Sequence, residues 1–186
     1  SIKENDIALV KRYIKLGMDV NMIENDTGLT PLHVVAMEKN TKIAKILLKY
    51  GANVSSKDKR SFTPLLYAVN NNEFSMVNLL IKYGSNINLA NNKGFTPLSE
   101  ASRYGYLPII KLLLKNNAKT DIKMFDGRIA IYGAVKNKHF EIVKLLEQAG
   151  SPIRWTDKNG VTLLDLAIEN NQTIMINFLE LKGLAK

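Results

Sequence analysis

The sequence contains no cysteine, which excludes disulfide bonds, thiolate metal sites and cysteine nucleophiles. Its only histidines, His33 and His139, are too few to support a metal site or a catalytic triad. Neither the Gly-x-Gly-x-x-Gly motif nor the Gly-x4-Gly-Lys-Ser/Thr phosphate loop occurs. We therefore predict that the protein is not an enzyme, and we expect no catalytic residue, no cofactor and no metal.

Long apolar runs are also missing. No stretch approaches the ~20 consecutive apolar residues of a membrane-spanning helix. The sequence does not open with a basic segment followed by an apolar one, so no secretory signal is predicted. Together with the lack of cysteine, these features predict an intracellular, cytoplasmic protein without a membrane span.

Lysine is abundant whereas arginine is scarce. The 21 lysines and 5 arginines outweigh 17 acidic residues and give a formal net charge of +9. Because the lysines are spread along the chain, a solubilising basic surface is one interpretation. Association with an acidic protein or with nucleic acid is another. Nucleic-acid binding stays an alternative, and it predicts a steep dependence on salt.

What the chain does contain is a nine-residue segment that recurs every 33 residues. Clear copies start at Gly28, Ser61 and Gly94, and fainter ones span residues 127–135 and 160–168. Such a period indicates stacked supersecondary units. With its Thr-Pro-Leu-His core at residues 30–33, the pattern resembles the ankyrin repeat family over nearly the whole chain. That resemblance implies an all-α solenoid of stacked helix-turn-helix units with β-hairpin fingers, and a noncatalytic protein–protein interaction module or scaffold.

The repeats together predict a single ankyrin-repeat domain that spans residues 1–186. We predict a partial repeat at 1–24, full repeats at 25–57, 58–90, 91–123 and 124–156, and a C-terminal repeat at 157–186. The first repeat keeps only its second helix, and Ile174 and Leu181 replace lysines in the last one. These ragged ends leave open an alternative, a regulatory or substrate-docking module of a larger multidomain protein. We expect a monomer.

Within each repeat the residue types have local reasons. Thr30 is predicted to cap a helix that starts at Pro31, whose φ is already helical. Gly51 is predicted to end the second helix in the left-handed conformation. The fifth repeat departs most, because Ile129 replaces the capping threonine and Gly133 inside the helix costs about 1 kcal/mol relative to alanine.

Three aromatic or imidazole side chains are predicted to be structural. His33 matches the histidine that ties neighbouring repeats by hydrogen bonds in the ankyrin family, and His139 matches that family's Gly-His turn. Trp155 lies at the base of the last finger, where packing is the preferred interpretation. None of the three is expected to carry chemistry.

In the ankyrin family, partners usually dock on the concave side, formed by finger tips and the exposed faces of first helices. Aromatic and arginine side chains dominate interface hot spots, and they recur at these positions here. The predicted partner-binding residues are Lys59, Arg60, Phe62, Lys93, Phe95, Arg103, Tyr104, Phe125, Arg128 and Lys136. Their basic rim favours an acidic partner. Alternatively, Phe62, Phe95 and Phe125 fold down and pack against neighbouring fingers.

Overall fold

The structure, a computed structural model, describes residues 4–184 and the side chains of residues 7–183. Within this range it has no strand, so the expected all-α class is confirmed. None of the described helices is long and apolar enough to cross a membrane. The helices are α1 (Glu4–Lys15), α2 (Pro31–Met37), α3 (Thr41–Lys49), α4 (Pro64–Asn70), α5 (Phe74–Lys82), α6 (Pro97–Tyr104), α7 (Leu107–Lys115), α8 (Ala130–Lys136), α9 (Phe140–Gln148), α10 (Leu163–Glu169) and α11 (Thr173–Leu179), followed by a π-helical turn, Glu180–Leu184.

The chain divides into two compact units, Ser1–Asn92 and Lys93–Lys186. In the first unit α2 packs on α4, α3 packs on α5, and α1 packs on α3. In the second unit α6 packs on α8, and α8 packs on α10. First helices therefore stack on first helices in both units, and second helices stack on second helices in the first unit, which is the arrangement of an all-α solenoid. The predicted repeat boundaries stay a prediction.

Helix starts follow the residues that the sequence supplies. The hydroxyl oxygens of Thr63, Thr96 and Thr162 each accept a hydrogen bond from a first-turn N–H at 3.0–3.2 Å. Ile129 begins α8 without any side-chain cap, as expected. Helix ends also behave as predicted, since Gly51 adopts a φ of 87°.

Helical spacing in the sequence predicts that Ile43, Ile46 and Leu47 form the buried stripe of α3, and the observed buried face differs from this stripe by one row. Ile43 and Leu47 are buried as expected, but Ile46 is half-buried, and Ala44 and Leu48 are buried instead. Because α3 packs against α1, α2 and α5, more than one row of its side chains lies against a neighbour. A single apolar stripe therefore underestimates the core of a stacked helix.

The fingers between repeats are tight turns, and the expected β-hairpins are not confirmed. In the finger of residues 58–62, Oδ1 of Asp58 accepts hydrogen bonds from the N–H groups of Arg60 and Phe62, both at 2.8 Å. A carboxylate thus satisfies donors that a strand ladder would otherwise use. Across the described residues the one isolated β-bridge joins Thr156 to Thr162.

Adjacent fingers within a unit approach closely enough to exclude side chains. In the first unit the N–H of Lys59 donates to the carbonyl of Thr27 at 2.9 Å. In the second unit, a Cβ on Gly94 would lie only 2.7 Å from Cα of Met124, and Gly94 has a φ of 82°. Glycine is therefore required there for both space and conformation.

Candidate functional site

Two of the predicted residues of the first unit, Arg60 and Phe62, belong to an internal cluster. Nη2 of Arg60 donates to the hydroxyl oxygen of Tyr67 at 2.7 Å, and that hydroxyl donates to Oδ2 of the buried Asp58 at 2.7 Å. The half-buried ring of Phe62 lies 5.2 Å from that of Tyr67. Burial, and next the hydrogen bond to Asp58, raise the pKa of Tyr67, so its phenol stays a donor. We call Asp58, Arg60, Phe62 and Tyr67 the finger cluster.

Participation in this cluster alters the expectation for two predicted binding residues. Phe62 follows the alternative interpretation, because its ring packs onto the first unit. Arg60 keeps 65% of its side chain exposed, but its guanidinium is already engaged. Lys59 is exposed in the same finger. Their part in binding stays a prediction.

His33 joins two successive repeats, as predicted. The N–H of Thr30 donates to Nδ1 of His33 at 3.0 Å, so Nε2 carries the proton and donates to the carbonyl of Phe62 at 3.0 Å. The side chain is fully buried, and burial is the largest cause of a lowered pKa. The imidazole is thus held neutral as a structural link.

A cavity of about 300 Å³ opens in the second unit, between α6, α8 and the fingers that precede them. We call it the Gly133 cavity. It is lined by Phe95, Ser99, Arg103, Met124, Arg128, Tyr132, Gly133, Lys136 and Asn137. The fold therefore brings together four of the predicted binding residues, namely Phe95, Arg103, Arg128 and Lys136.

The glycine in α8 explains why this space exists. Successive repeats place Val34, Tyr67, Glu100, Gly133 and Leu166 at one equivalent position. A Cβ on Gly133 would lie 3.3 Å from both Cα and Cβ of Arg103, closer than most such contacts. The missing side chain therefore allows α6 to approach α8 and leaves backbone as part of the cavity wall.

The charges around the cavity are unequally compensated. Arg128 donates from Nε and Nη2 to Oδ2 of Asp126, and this guanidinium lowers the pKa of the carboxyl. Arg103 lies 3.9 Å from Glu100, and burial raises the pKa of that carboxyl. Lys136 is exposed and forms no ion pair with the residues that the structure describes. The cavity therefore has an excess of positive charge.

Aromatic side chains surround these cations. The guanidinium of Arg103 lies 5.8 Å from the ring centroid of half-buried Phe95 and 5.0 Å from that of Tyr104. Tyr104 is 46% exposed and stacks on Tyr106 at 5.6 Å. Phe125 is 81% exposed, so it does not fold down onto a finger. Lys93 is exposed at the start of the unit.

The sequence predicted the charged residues of the cavity but missed uncharged residues that form its wall. Met124 and Tyr132 were not predicted, and Gly133 was interpreted only as a destabilising residue. The signal that could have found the site is positional, because glycine occupies a place that carries a larger side chain in four other repeats. A local loss of helix propensity can mark function.

Trp155 and His139, the two predicted structural residues of the second unit, contact residues of the cavity wall or their backbone. Nε1 of Trp155 donates to the carbonyl of Gly127 at 2.9 Å, and its buried ring lies 5.3 Å from that of Tyr132. His139 contacts the carbonyl of Arg103 through Nε2 at 3.2 Å. The packing interpretation is confirmed for Trp155, and His139 lies at the turn before α9 as expected.

The first unit has a different, apolar cavity of about 400 Å³ between α1, α2 and α3. Its lining includes Leu9, Tyr13, Val34 and Leu47. Because α1 packs on α3 as a second helix, this cavity lies where the first helix of the first repeat would stack. That the first repeat is partial stays a prediction.

Comparison with known proteins identifies the repeat. The family described as ankyrin repeats (3 copies) matches residues 1–91, 57–126 and 98–183. The human ARF GTPase-activating protein GIT1 is 35% identical over 68 residues, which are 37% of this chain and 9% of that protein. Potassium channel AKT3 from Oryza sativa subsp. japonica is 31% identical over 64 residues, 34% of this chain and 7% of the channel.

A third relative carries the repeat in its name. The mouse fibronectin type 3 and ankyrin repeat domains 1 protein is 42% identical over 55 residues, 29% of this chain and 16% of that protein. This chain thus matches only 7 to 16% of the length of these three relatives. The similarity lies in a shared repeat segment.

Proposed function

Because this chain belongs to the ankyrin repeat family, we propose that it is a noncatalytic protein-interaction module whose second unit binds a partner protein. Ankyrin repeats are generally protein–protein interaction modules. The proposed surface consists of the Gly133 cavity together with Tyr104, Phe125 and Lys93. We expect this module to act inside the cell as a monomer.

The observation that carries the proposal is the grouping of cations and aromatic rings on one unit. Phe95, Arg103, Arg128 and Lys136 line a single cavity, and the rings of Tyr104 and Phe125 are 46% and 81% exposed. Aromatic and arginine side chains are the residue types enriched at interface hot spots. The supporting helices are held by stacking, so little order has to be gained on binding.

Electrostatics favours an acidic partner. Surplus positive charge at the rim of an interface speeds the encounter with a negative surface and disfavours basic competitors. Nucleic acid would be attracted by the same charge, but an aromatic ring buried against its own fold cannot serve as a base-stacking platform. Phe62 and Phe95 are half-buried and so offer no such platform, but Tyr104 and Phe125 are exposed. The nuclease control in the experiment below therefore decides between a protein and a nucleic-acid partner.

The test is affinity capture from cell lysate with matched double variants. Tyr104→Ala with Phe125→Ala removes two exposed rings of the proposed surface. Tyr50→Ala with Phe74→Ala removes two rings that are each 46% exposed in the first unit, and it serves as the control. We expect a protein that is retained by the wild type and the control, lost by the first variant, and unaffected by nuclease. Capture that needs nucleic acid, or that survives the loss of both surface rings, would contradict the proposal.

A further inference from the structure

The Gly133 cavity has the size and lining of an anchor site for a single side chain. Small-molecule pockets typically have volumes of about 300–1,000 Å³. At about 300 Å³ this cavity is at the lower limit, so it can admit one or two side chains but no folded element. Its wall contains aromatic and thioether surface from Phe95, Tyr132 and Met124. Such surface suits the methylene groups of an aliphatic stem.

The polar part of the lining selects a negative group for the end of that stem. Arg103 and Lys136 bring cationic groups whose compensation is weak, since buried Glu100 lies 3.9 Å from Arg103 without a hydrogen bond at Oε2. Arg128 is held by Asp126 and so presents an oriented guanidinium. Nδ2 of Asn137 donates to the carbonyl of Gly133 at 2.9 Å, which satisfies a carbonyl that would otherwise repel an anion.

From this combination we propose that the Gly133 cavity is the anchor site for a carboxylate side chain, glutamate above all, in an acidic segment of the partner. The stem lies against Phe95 and Tyr132, and the carboxylate is bound between Arg103 and Lys136. The inference rests on the proposed function and specifies the chemistry of its partner. The bound carboxylate replaces the missing side chain of the fifth repeat, which explains why an otherwise unfavourable glycine sits in α8.

Comparison with the equivalent residues of the third and fourth repeats indicates that the cavity is particular to the fifth repeat. The equivalent of Gly133 in the third repeat is Tyr67, whose ring packs against His33 and Phe62 and whose hydroxyl donates to Asp58 of its own finger. In the fourth it is Glu100, a buried carboxylate beside Arg103. A carboxylate–arginine contact therefore already occurs at this position in the fourth repeat, and the Gly133 cavity leaves the carboxylate to be supplied by the partner.

The experiment uses random 12-residue peptides displayed on phage and selected on the wild-type protein. Enriched peptides are synthesised with each acidic residue replaced by its amide, and binding is measured by fluorescence anisotropy. We expect one glutamate whose change to glutamine weakens binding about tenfold or more, because a charge pair in a partly desolvated site is lost. Lys136→Glu should weaken the same peptide comparably, whereas Lys111→Glu, an exposed lysine on α7, should not.

A charge exchange guards against a merely structural effect. The peptide with lysine in place of the critical glutamate should regain binding to the Lys136→Glu protein. Gly133→Ala, which puts a methyl group 3.3 Å from Arg103, should weaken the original peptide while helical content is kept. The anchor site would be overturned by a peptide whose binding is lost with Tyr104→Ala and Phe125→Ala but is unchanged by Lys136→Glu and by replacement of its own acidic residues. That result would leave the proposed function intact.

Two other outcomes are also decisive. If phosphoserine in place of the critical glutamate binds more than about tenfold more tightly, the site is a phosphate site and the carboxylate assignment is wrong. If no peptide depends on any of these surface residues, the proposed function and the anchor site both fail.

Discussion

Removing one hydroxyl from the finger cluster should measurably destabilise the first unit. Tyr67→Phe deletes only the group that donates to Oδ2 of Asp58 at 2.7 Å, and the Asp58 side chain is 2% exposed. A hydrogen bond to a charged group contributes about 1.5–3 kcal/mol. Asp58 keeps two backbone donors, and the guanidinium of Arg60 can turn to water. We therefore expect the free energy of unfolding to fall by about 2 kcal/mol.

Urea unfolding followed by circular dichroism at neutral pH measures this change. The matched control is Tyr50→Phe, since Tyr50 is 46% exposed and its hydroxyl has no hydrogen-bond partner among the residues described. Substitutions of that kind usually change stability by less than about 0.5 kcal/mol. If both variants unfold at the same urea concentration, the buried carboxylate does not depend on Tyr67 and the internal role of the finger cluster is wrong.

Three further predictions concern the fold. The pKa of His33 is lowered from 6.5, so as the pH falls below 6.5 this group takes up a proton in the unfolded state but not in the folded state. The free energy of unfolding should therefore decline from pH 6.5 down to the lower folded-state pKa. An unchanged urea midpoint between about pH 7.5 and 5.5 would contradict this. Gly94→Ala should lower the free energy of unfolding by at least about 2 kcal/mol more than Gly150→Ala. Both glycines have a positive φ, but of the two only Gly94 would place a Cβ against backbone, that of Met124. Equal thermal midpoints for the two variants would refute the close approach. Trp155→Phe should cost about 1 kcal/mol through its lost indole hydrogen bond, measured by urea unfolding, and an unchanged midpoint would exclude that bond as a stabilising one.

Periodicity made the fold predictable. The 33-residue interval located the first helices, and threonine, proline and glycine determined where helices begin and end. The finger geometry was less accessible, because Asp58 satisfies backbone donors with its side chain and so replaces a strand ladder. Whether a finger forms such a turn or a β-hairpin depends on where the carboxylate lies in three dimensions, and the sequence pattern does not reveal that position.

Only part of the candidate site could be predicted. Positions on fingers and first helices follow from the repeat, so Phe95, Arg103, Arg128 and Lys136 were found together. Exposure could not be inferred from residue type, since Phe62 packs on Tyr67 whereas Phe125 is 81% exposed. Gly133 marks a missing side chain in the sequence, but the volume and lining of the cavity emerge only once the packing of the two helices is known.

The most direct test of the account is to map the binding surface by nuclear magnetic resonance. A selected peptide is titrated into the isotope-labelled protein, and backbone amide shifts are followed at each residue. We expect the largest changes at the ends of α6 and α8 and at residues 124–128, with little change in α7. Changes centred instead on the apolar cavity of the first unit, around Tyr13 and Val34, would contradict the claim that the Gly133 cavity is the binding site.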